Sequence, residues 1–382
     1  PAVLPGAPGG ADRPLLWPSL HGLRCGPDRH RLAADRPGPD SLRQVIPLIC
    51  GAGADMTANP LGFSGRTHRT ARTRHGWSKA LQLPPDLYPG VGGKRFRAAL
   101  LQRAYEFAGG SGSAPAGISD AVEMLHAGSL VIDDFEDDSL TRRGQPALHR
   151  VVGPARAVNA GNWMYFRALE LASTACESPA RSAALLGRFI EVARQCHEGQ
   201  AIDLATRVDE VSPRQAYATA LAISRWKTGR LVSLAAWCGA HAAGDDTATL
   251  RAAAAFGCRV GICLQMKNDL DELRELLEGS NRCDDLKNRR VTWPWAWAAS
   301  DLPPRRFAAF KRRLRHPRDL HRLAEDLLEA TRARAAVAIN TRLDRATALL
   351  AAATGSARDT RPLAELSDAL RIATTTEAEV MP

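Results

Sequence analysis

An acidic run directly follows an apolar segment in the first half of the chain, and it constrains the fold more than any other feature. Five of the six residues from Asp133 to Asp138 are carboxylates. On a helix, Asp133 and Asp137 share one face, as do Asp134 and Asp138, because each pair is four residues apart. Two carboxylates one turn apart form an oxygen site suited to Mg²⁺, which prefers a few carboxylates together with substrate phosphates.

Two arginines follow the acidic run and extend this interpretation. Arg142 and Arg143 lie just beyond it, and their guanidinium groups are fork-shaped donors that match phosphate oxygens. Metal ligands beside phosphate ligands indicate a diphosphate substrate. The alternative, which an acidic run on its own favours, is a solvated helix end without a ligand.

The composition indicates an all-α protein. Alanine, leucine and arginine dominate the 382 residues, aromatic residues make up 5%, and runs of β-branched residues are scarce. Such a composition is typical of helices. The net charge of +10 comes largely from arginines that we interpret as spread along the whole chain. We therefore expect no nucleic-acid partner.

Cysteine spacing and hydropathy indicate a cytoplasmic protein without a membrane span. The eight cysteines include no Cys-x-x-Cys pair, and scattered cysteines are typical of reduced thiols in the cytosol. No apolar stretch reaches the ~18 uncharged residues of a transmembrane helix. Both observations favour a cytoplasmic location.

The chain divides into two regions of different pattern. Residues 1–55 hold nine of the 24 prolines and lack lysine and methionine. No periodicity persists there, so we predict a disordered or mis-assigned N-terminal extension. Residues 56–382 are predicted to form a single all-α domain. Its helices are predicted at 94–108, 119–138, 154–175, 180–204, 213–240, 247–278, 291–300, 304–315, 317–354 and 362–372.

A second acidic segment lies at residues 265–272, again at the end of an apolar helix. Asn268 and Glu272 are four residues apart, and Asp269 and Glu272 are three apart, so three oxygen-bearing side chains can point the same way. Two acidic segments that face each other across a bundle cavity could hold Mg²⁺ between them. The metal would then bind a diphosphate and stabilise it as a leaving group.

The motifs around both acidic segments resemble those of the trans-isoprenyl diphosphate synthases, the polyprenyl synthetase family, and in particular its short-chain geranylgeranyl diphosphate synthases. Their order and spacing agree from about residue 88 to residue 296. The matching elements are Gly92-Gly93-Lys94-Arg95-Phe96-Arg97; His126, Ser129, Asp133, Asp134, Asp137, Arg142, Arg143, Gly144, Pro146 and His149; Gly199-Gln200 with Asp203-Leu204; and Lys227-Thr228-Gly229.

This resemblance implies an isoprenoid synthase-type helical bundle around a central cavity, a Mg²⁺ cofactor and a homodimer. It also implies head-to-tail condensation of an allylic prenyl diphosphate with isopentenyl diphosphate. The residues expected by position to bind metal are Asp133, Asp137, Asp269, Asn268 and Glu272. Those expected to act in catalysis are Lys227, Thr228, Gln265, Asp133 and Asp134. Those expected to bind substrate phosphates are Arg142 on the allylic side and Lys94, Arg97, His126 and Arg143 for isopentenyl diphosphate.

The second acidic segment departs from the family pattern, and two alternatives stay open. Asn268 and Glu272 stand where the family has aspartates, and Arg289-Arg290 replaces a Gly-Lys pair. An altered second motif is expected of relatives that cyclise a prenyl diphosphate, whereas the retained isopentenyl diphosphate pocket argues for elongation. The other alternative is a non-catalytic regulatory subunit of a heteromeric synthase.

Product length is predicted from the size of the residues that precede the first acidic run. Gly128 and Ser129, five and four positions before Asp133, are both small. Large aromatic side chains there would close the cavity, so small residues predict an open channel and a C20 product, geranylgeranyl diphosphate. Met124 or Leu125 would then limit further growth.

Overall fold

Helices form the described part of the chain, apart from one short hairpin and the loops. The computed structural model describes residues 96–244, 246–279, 283–355 and 358–372. Lys94 and the predicted extension at residues 1–55 lie outside these ranges. The helices are α1 (Phe96–Phe107), α2 (Ala116–Glu136), α3 (Leu148–Val152), α4 (Pro154–Thr174), α5 (Pro179–Ala205), α6 (Pro213–Ile223), α7 (Arg230–Ala243), α8 (Thr247–Leu277), α9 (Asp284–Lys287), α10 (Trp293–Asp301), α11 (Pro304–Arg313), α12 (Leu320–Thr354) and α13 (Arg361–Asp368).

Helix boundaries follow the capping and breaking residues of the sequence. The helices predicted at 154–175, 180–204 and 247–278 match α4, α5 and α8 to within one residue at each end. Proline stands in the first turn of α4 and α5, where its missing N–H leaves no bond unmade. Asp246 caps α8, because its carboxylate accepts hydrogen bonds from the N–H groups of Ala248 and Thr249 at 3.3 and 3.0 Å.

The helix that carries the first acidic run ends earlier than predicted. Helix α2 ends at Glu136, and Asp138 has a φ of +54°, outside the helical region. Asp138 pairs instead with Arg150, at 2.5 Å. The prediction that Asp134 and Asp138 share one face of a helix is therefore wrong.

A hairpin directly after α2 positions Arg142. Strands β1 (Thr141–Arg142) and β2 (Gln145–Pro146) pair in antiparallel fashion. Arg143 and Gly144 form the turn with φ angles of +52° and +78°, which is the backbone that tight two-residue hairpin loops require. The hairpin folds Arg142 back onto α2, where its Nε donates to Asp134 Oδ1 at 2.8 Å.

Helices α7 and α8 lie at the centre of the bundle. Helix α7 packs against α1 and α8, α8 also packs against α12, and α2 packs along α4. Leu231, Val232 and Leu234 of α7 are buried, and full burial of each such side chain contributes about 1.5–3 kcal/mol. Between α6 and α7, the turn Ser224–Gly229 is π-helical. This π-turn divides the single helix predicted at 213–240.

Among the described helices, α8 has the length and apolarity of a membrane span. The most apolar 18-residue window within α8 has a mean hydropathy of 1.2, and half of it is buried inside the protein. Because α8 packs against α7, α12 and the π-turn, it is a core helix of the bundle.

Candidate active site

A cavity of about 380 Å³ lies among α1, α2, α4, α5, α7 and α8, and it is lined by residues from both acidic segments. The predicted site residues that line it are Arg97, His126, Ser129, Asp133, Asp137, Arg142, Lys227, Thr228, Gln265, Asn268, Asp269 and Glu272. Residues that line it but were not among the predicted site residues include Tyr165, Cys196, His197, Gln200, Asp284 and Asp285. The fold therefore brings the two segments together, although they are about 130 residues apart in the sequence.

Asp133 lies close to three polar side chains that also line the cavity. Its Oδ1 accepts from Lys227 Nζ at 2.8 Å and from Gln200 Nε2 at 3.0 Å. Arg142 lies 3.8 Å from its Oδ2. Burial opposes ionisation of Asp133, but Lys227, Arg142 and Gln200 outweigh that effect and hold its pKa below the ordinary value. Asp133 is therefore a carboxylate that stays charged inside the cavity.

The π-turn presents Lys227 and Thr228 to the cavity together. Lys227 Nζ donates to Asp203 Oδ2 at 2.9 Å as well as to Asp133. Burial disfavours the charged amine, but these two aspartates outweigh it and raise the pKa of Lys227 well above its usual value. Thr228 Oγ1 donates to Gln265 Oε1 at 2.5 Å, which joins the π-turn to α8. Such π-turns inside helices are frequent at functional sites.

Gly199 of α5 is the reason that the π-turn can approach α5 so closely. A Cβ atom at this position would stand 2.5 Å from Lys227 N and 2.7 Å from the carbonyl carbon of Trp226. Both of these atoms belong to the backbone and cannot rotate away. The glycine of the Gly-Gln motif is therefore required by packing beneath Lys227.

Asp269 anchors the second acidic segment to the rest of the site. Its Oδ2 accepts from the backbone N–H of Trp293 at 2.9 Å, and its Oδ1 accepts from Gln265 Nε2 at 2.7 Å. Burial is the main cause that raises the pKa of Asp269, to about 7. Glu272 lies one turn further on and accepts from the backbone N–H of Asp285 at 2.8 Å.

Arg290 connects the first acidic segment to α5 through a position that the sequence pattern only marked as a departure. Its buried guanidinium donates to Asp137 Oδ1 and, at 2.7 Å, to the backbone oxygen of Asp203. The neighbouring Arg289 points elsewhere and pairs with Asp209 at 2.8 Å. Despite Arg290, burial and the repulsion of Asp133 raise the pKa of Asp137 to about 6.

The cation Arg97 and the imidazole of His126 both line the cavity wall. Among the described residues, Arg97 Nε and His126 Nδ1 are buried without a hydrogen-bond partner. Burial, with a smaller contribution from the nearby Arg143, lowers the pKa of Arg97 to about 10 against the attraction of Glu123. Burial, with Arg97 and Arg143 adding to it, also holds the pKa of His126 well below its usual value. A bound anion would relieve this accumulation of donors.

Several predicted residues lie outside the cavity wall. Asp134 is buried, is not among the residues that line the cavity, and accepts from Arg142 Nε at 2.8 and 3.0 Å. Arg143 is exposed at the hairpin turn, within electrostatic reach of Arg97. Gly128 faces α4, where a Cβ would stand 3.0 Å from Gly161 O. Gly128 therefore allows α2 and α4 to cross closely, and it does not open the cavity.

The donor set fits a hard divalent cation that is shared with a ligand. Asp133, Asp137, Asp269, Asn268 and Glu272 all offer oxygen atoms to the same cavity, as Mg²⁺ requires. In the described ranges no three His, Cys, Asp or Glu side chains converge on one point. Such ions would therefore be bound by one or two carboxylates each, and substrate phosphates would complete the shell.

Apolar and aromatic side chains also line the cavity. Tyr165 of α4 stands beside Gly128, with its Cδ1 3.2 Å from the place that a Cβ of this glycine would occupy. The ring of Tyr165 meets the ring of His197 edge to face, with centroids 5.3 Å apart. Leu125, Ser129 and these two rings line the same cavity.

This all-α bundle, with two acidic segments and a cationic wall around one cavity, is the architecture expected from the sequence motifs. The sequence profile of the polyprenyl synthetase family matches residues 78–329. The chain belongs to this family.

Individual relatives agree with that assignment. The chain is 31% identical over 216 residues to geranylgeranyl pyrophosphate synthase 2 of Zymoseptoria tritici, covering 55% of this chain and 62% of the relative. It is 33% identical over 212 residues to a (2E,6E)-farnesyl diphosphate synthase of Mycobacterium tuberculosis, covering 54% of this chain and 57% of the relative. The chain thus spans about three fifths of the length of these relatives.

A solved structure confirms the predicted fold class. The polyprenyl synthase of Caulobacter crescentus, in complex with calcium and isoprenyl diphosphate, superposes with a TM-score of 0.62 and 25% identity. The match covers 78% of this chain and 94% of that one. The fold is therefore the helical isoprenoid synthase bundle.

Proposed function

We propose that this protein is a Mg²⁺-dependent prenyltransferase that joins isopentenyl diphosphate head-to-tail to an allylic prenyl diphosphate. The observation that carries the proposal is one cavity whose wall holds two chemically distinct groups of side chains. The first group is the carboxylates that include Asp133 and Asp269, and the second is Arg97 with His126, which have buried nitrogen atoms without a hydrogen-bond partner. A reaction between two diphosphates would use both groups.

In the proposed reaction, the allylic diphosphate lies against the carboxylate side. Mg²⁺ held by Asp133, Asp137 and Asp269, with Asn268 and Glu272 nearby, would supply Lewis-acid stabilisation of the leaving diphosphate. Lys227 keeps its proton, because Asp133 and Asp203 raise its pKa, so it offers a full positive charge to the same leaving group. Preorganised charge of this kind lowers the barrier to breaking the C–O bond.

The second substrate then lies against the cationic side. Arg97 and His126, with Arg143 and Lys94, would bind the diphosphate of isopentenyl diphosphate and aim its double bond at the allylic carbon. A carbon–carbon bond forms as the allylic C–O bond breaks, one proton leaves the new chain, and the released diphosphate accepts it. The apolar side chains of the cavity wall, among them Leu125 and Leu231, exclude water that would otherwise capture the cation.

We propose geranylgeranyl diphosphate as the product, on the basis of Tyr165 and Ser129, since Gly128 does not line the cavity. Support comes from Tyr165, whose ring takes the space beside Gly128 and packs on His197. Both rings line the cavity together with Ser129, so they take up part of the space into which a growing chain would extend. The pair Tyr165–His197 would therefore limit elongation.

A terpene cyclase on the same fold is the second candidate. The observation in its favour is Asn268, which removes one carboxylate from the second acidic segment. A cyclase ionises one prenyl diphosphate and has no use for the donors of Arg97 and His126. A non-catalytic regulatory subunit, likewise, would not need the charged pair of Lys227 and Asp133 inside the cavity.

We also propose that the protein forms a homodimer through α4 and α5. Phe166 on α4 is 72% exposed and Ile190 on α5 is 50% exposed, and exposed apolar side chains of this size are typical of interfaces. Light scattering coupled to gel filtration of wild type and Phe166→Glu tests this. A wild-type monomer would contradict it.

The experiment that separates the functional candidates is an incubation with Mg²⁺ and farnesyl diphosphate, with and without isopentenyl diphosphate, followed by mass spectrometry. Elongation predicts a longer prenyl diphosphate only when isopentenyl diphosphate is present. A cyclic hydrocarbon from farnesyl or geranylgeranyl diphosphate alone would establish the cyclase. No product from any combination would favour the regulatory subunit.

A further inference from the structure

One surface segment concentrates most of the net charge of the chain. Residues 304–322, here called the basic segment, contain seven arginines and one lysine against a single aspartate. Their net charge is +7 in a chain whose total is +10. The expectation that the arginines are spread along the chain does not hold for these residues, so their charge needs its own explanation.

The fold presents most of this charge to solvent. Helix α11 buries Phe307 and Phe310 in the bundle. Lys311 Nζ donates to the backbone oxygens of Asp209 and Val211 at 3.3 and 3.1 Å, which holds the helix in place. Within the described ranges, Arg313 pairs with an acid, Asp326, whereas no acidic side chain pairs with the other arginines of the segment. These others, all exposed, are Arg305, Arg306, Arg312, Arg315, Arg318 and Arg322.

Helix stability does not account for the whole pattern. Cations in the last turn of a helix interact favourably with its dipole, and Arg312 and Arg313 stand there in α11. Arg305 and Arg306 stand in its first turn, where the dipole is positive and carboxylates are the stabilising residues. These two arginines oppose the stability of α11, so an external anion is the better explanation for them.

We propose that the basic segment adsorbs the protein onto an anionic lipid bilayer. Clustered Lys and Arg side chains near a negatively charged leaflet attract it additively, and the attraction weakens with salt. Because α11 keeps its apolar face in the bundle, the contact is electrostatic and no side chain needs to insert. Binding to a bilayer would suit the proposed product, because a prenyl diphosphate is amphiphilic and its prenyl chain partitions into the bilayer. That last step rests on the proposed function, whereas the charge and its exposure do not.

A nucleic acid is the less favoured anion for this surface. Single-stranded nucleic acids are bound by basic grooves that also offer aromatic rings for stacking. The aromatic residues that the sequence interleaves here, Phe307 and Phe310, are 2% and 5% exposed. The basic segment therefore offers charge without rings.

The test is flotation of the full chain with phosphatidylcholine vesicles, with and without a large fraction of phosphatidylglycerol, at low and high salt and without substrate. The variant of the basic segment carries Arg305→Gln, Arg306→Gln, Arg312→Gln and Arg315→Gln. The matched control removes the same charge from exposed positions on α5, α6, α8 and α12 through Arg194→Gln, Arg214→Gln, Arg251→Gln and Arg345→Gln. Circular dichroism confirms that each variant is folded.

We expect wild type and control to float with anionic vesicles at low salt, and the variant of the basic segment to bind them about tenfold or more weakly. Three results would overturn the proposal. They are no binding of wild type to anionic vesicles, an equal loss of binding in both variants, or equally strong binding by wild type, the variant of the basic segment and the control. In parallel, fluorescence anisotropy of a labelled DNA duplex tests whether the basic segment binds nucleic acid instead. A loss of duplex binding by the variant, with vesicle binding unchanged, would also overturn it. Because no substrate is present, an inactive enzyme does not affect this readout.

Discussion

The guanidinium of Arg290 and the carboxylate of Asp137 form a buried pair that joins the segment after α9 to the end of α2. The side chain of Arg290 is 3% exposed and that of Asp137 is 13% exposed. Removal of one partner from a buried pair leaves the other charge without compensation. Arg290 therefore stabilises the site in the absence of metal, at the position where the sequence departs from the Gly-Lys pair of the family.

Substitution of Arg290 by methionine should destabilise the protein, and Mg²⁺ should restore part of the loss. We expect Arg290→Met to lower the free energy of unfolding by about 3 kcal/mol, because Asp137 loses its cation. Binding of a divalent ion next to Asp137 would replace that charge. Urea unfolding with and without Mg²⁺ measures both effects.

The neighbouring residue supplies the control for this prediction. Arg289 pairs with Asp209 and its side chain is 40% exposed, so Arg289→Met should cost less than about 1 kcal/mol. Equal stability of the two variants, or no response of Arg290→Met to Mg²⁺, would contradict the assigned role of Arg290.

Restoration of the missing carboxylate should strengthen metal binding. Asn268 lines the cavity beside Asp269, and each added carboxylate increases the affinity of an oxygen site for a divalent cation. We expect Asn268→Asp to lower the Mg²⁺ concentration for half-maximal binding about three- to tenfold, by calorimetry on the substrate-free protein. Asn162→Asp on the exposed face of α4 adds the same charge outside the cavity and should change nothing.

Product length should respond to the tyrosine ring that lines the cavity. Tyr165→Ala removes the ring beside Gly128 and should yield a prenyl diphosphate at least one C5 unit longer than that of wild type. Ser129→Phe adds a ring to the cavity wall and should yield a shorter one. Mass spectrometry of the products reads both changes. Tyr105→Ala on α1, away from the cavity wall, is the control, and identical products from all four proteins would contradict this limit on chain growth.

Packing beneath Lys227 should make Gly199 intolerant of any side chain. Gly199→Ala would press a methyl group against the backbone of Trp226 and Lys227, which should cost about 1–3 kcal/mol in stability and reduce kcat by displacing Lys227. On the same helix, Gly187 has open space around it. Gly187→Ala should instead stabilise the protein by about 0.5–1 kcal/mol. Thermal unfolding of the two variants should therefore shift in opposite directions.

The sequence predicted the fold class, and most of the predicted site residues do line the cavity, because both depend on local patterns. Apolar periodicity and capping residues set the boundaries of α4, α5 and α8, and the motif spacing identified Asp133, Lys227 and the other residues that share the cavity. Tertiary contacts decided the rest. The end of α2 at Glu136 depends on the backbone turn at Asp138 and its pair with Arg150.

The positions of Gly128 and Arg290 show why spacing alone was insufficient. Counting back from Asp133 placed Gly128 on the channel wall, but its direction follows from how closely α2 crosses α4 at Gly161. The sequence showed Arg290 only as a departure from the Gly-Lys pair of the family. Its pair with Asp137 joins residues that are 153 positions apart. Such pairs depend on the folded bundle.

The central claim is that one cavity holds two diphosphates at separate sites, and the kinetics of Arg97→Gln test it most directly. Loss of a charged donor should raise KM for isopentenyl diphosphate about tenfold or more and leave KM for the allylic diphosphate nearly unchanged. Arg103→Gln, on the same helix and paired with Glu106 at the surface, should behave as wild type. An equal rise in both KM values, or a rise for the allylic substrate alone, would contradict the claim.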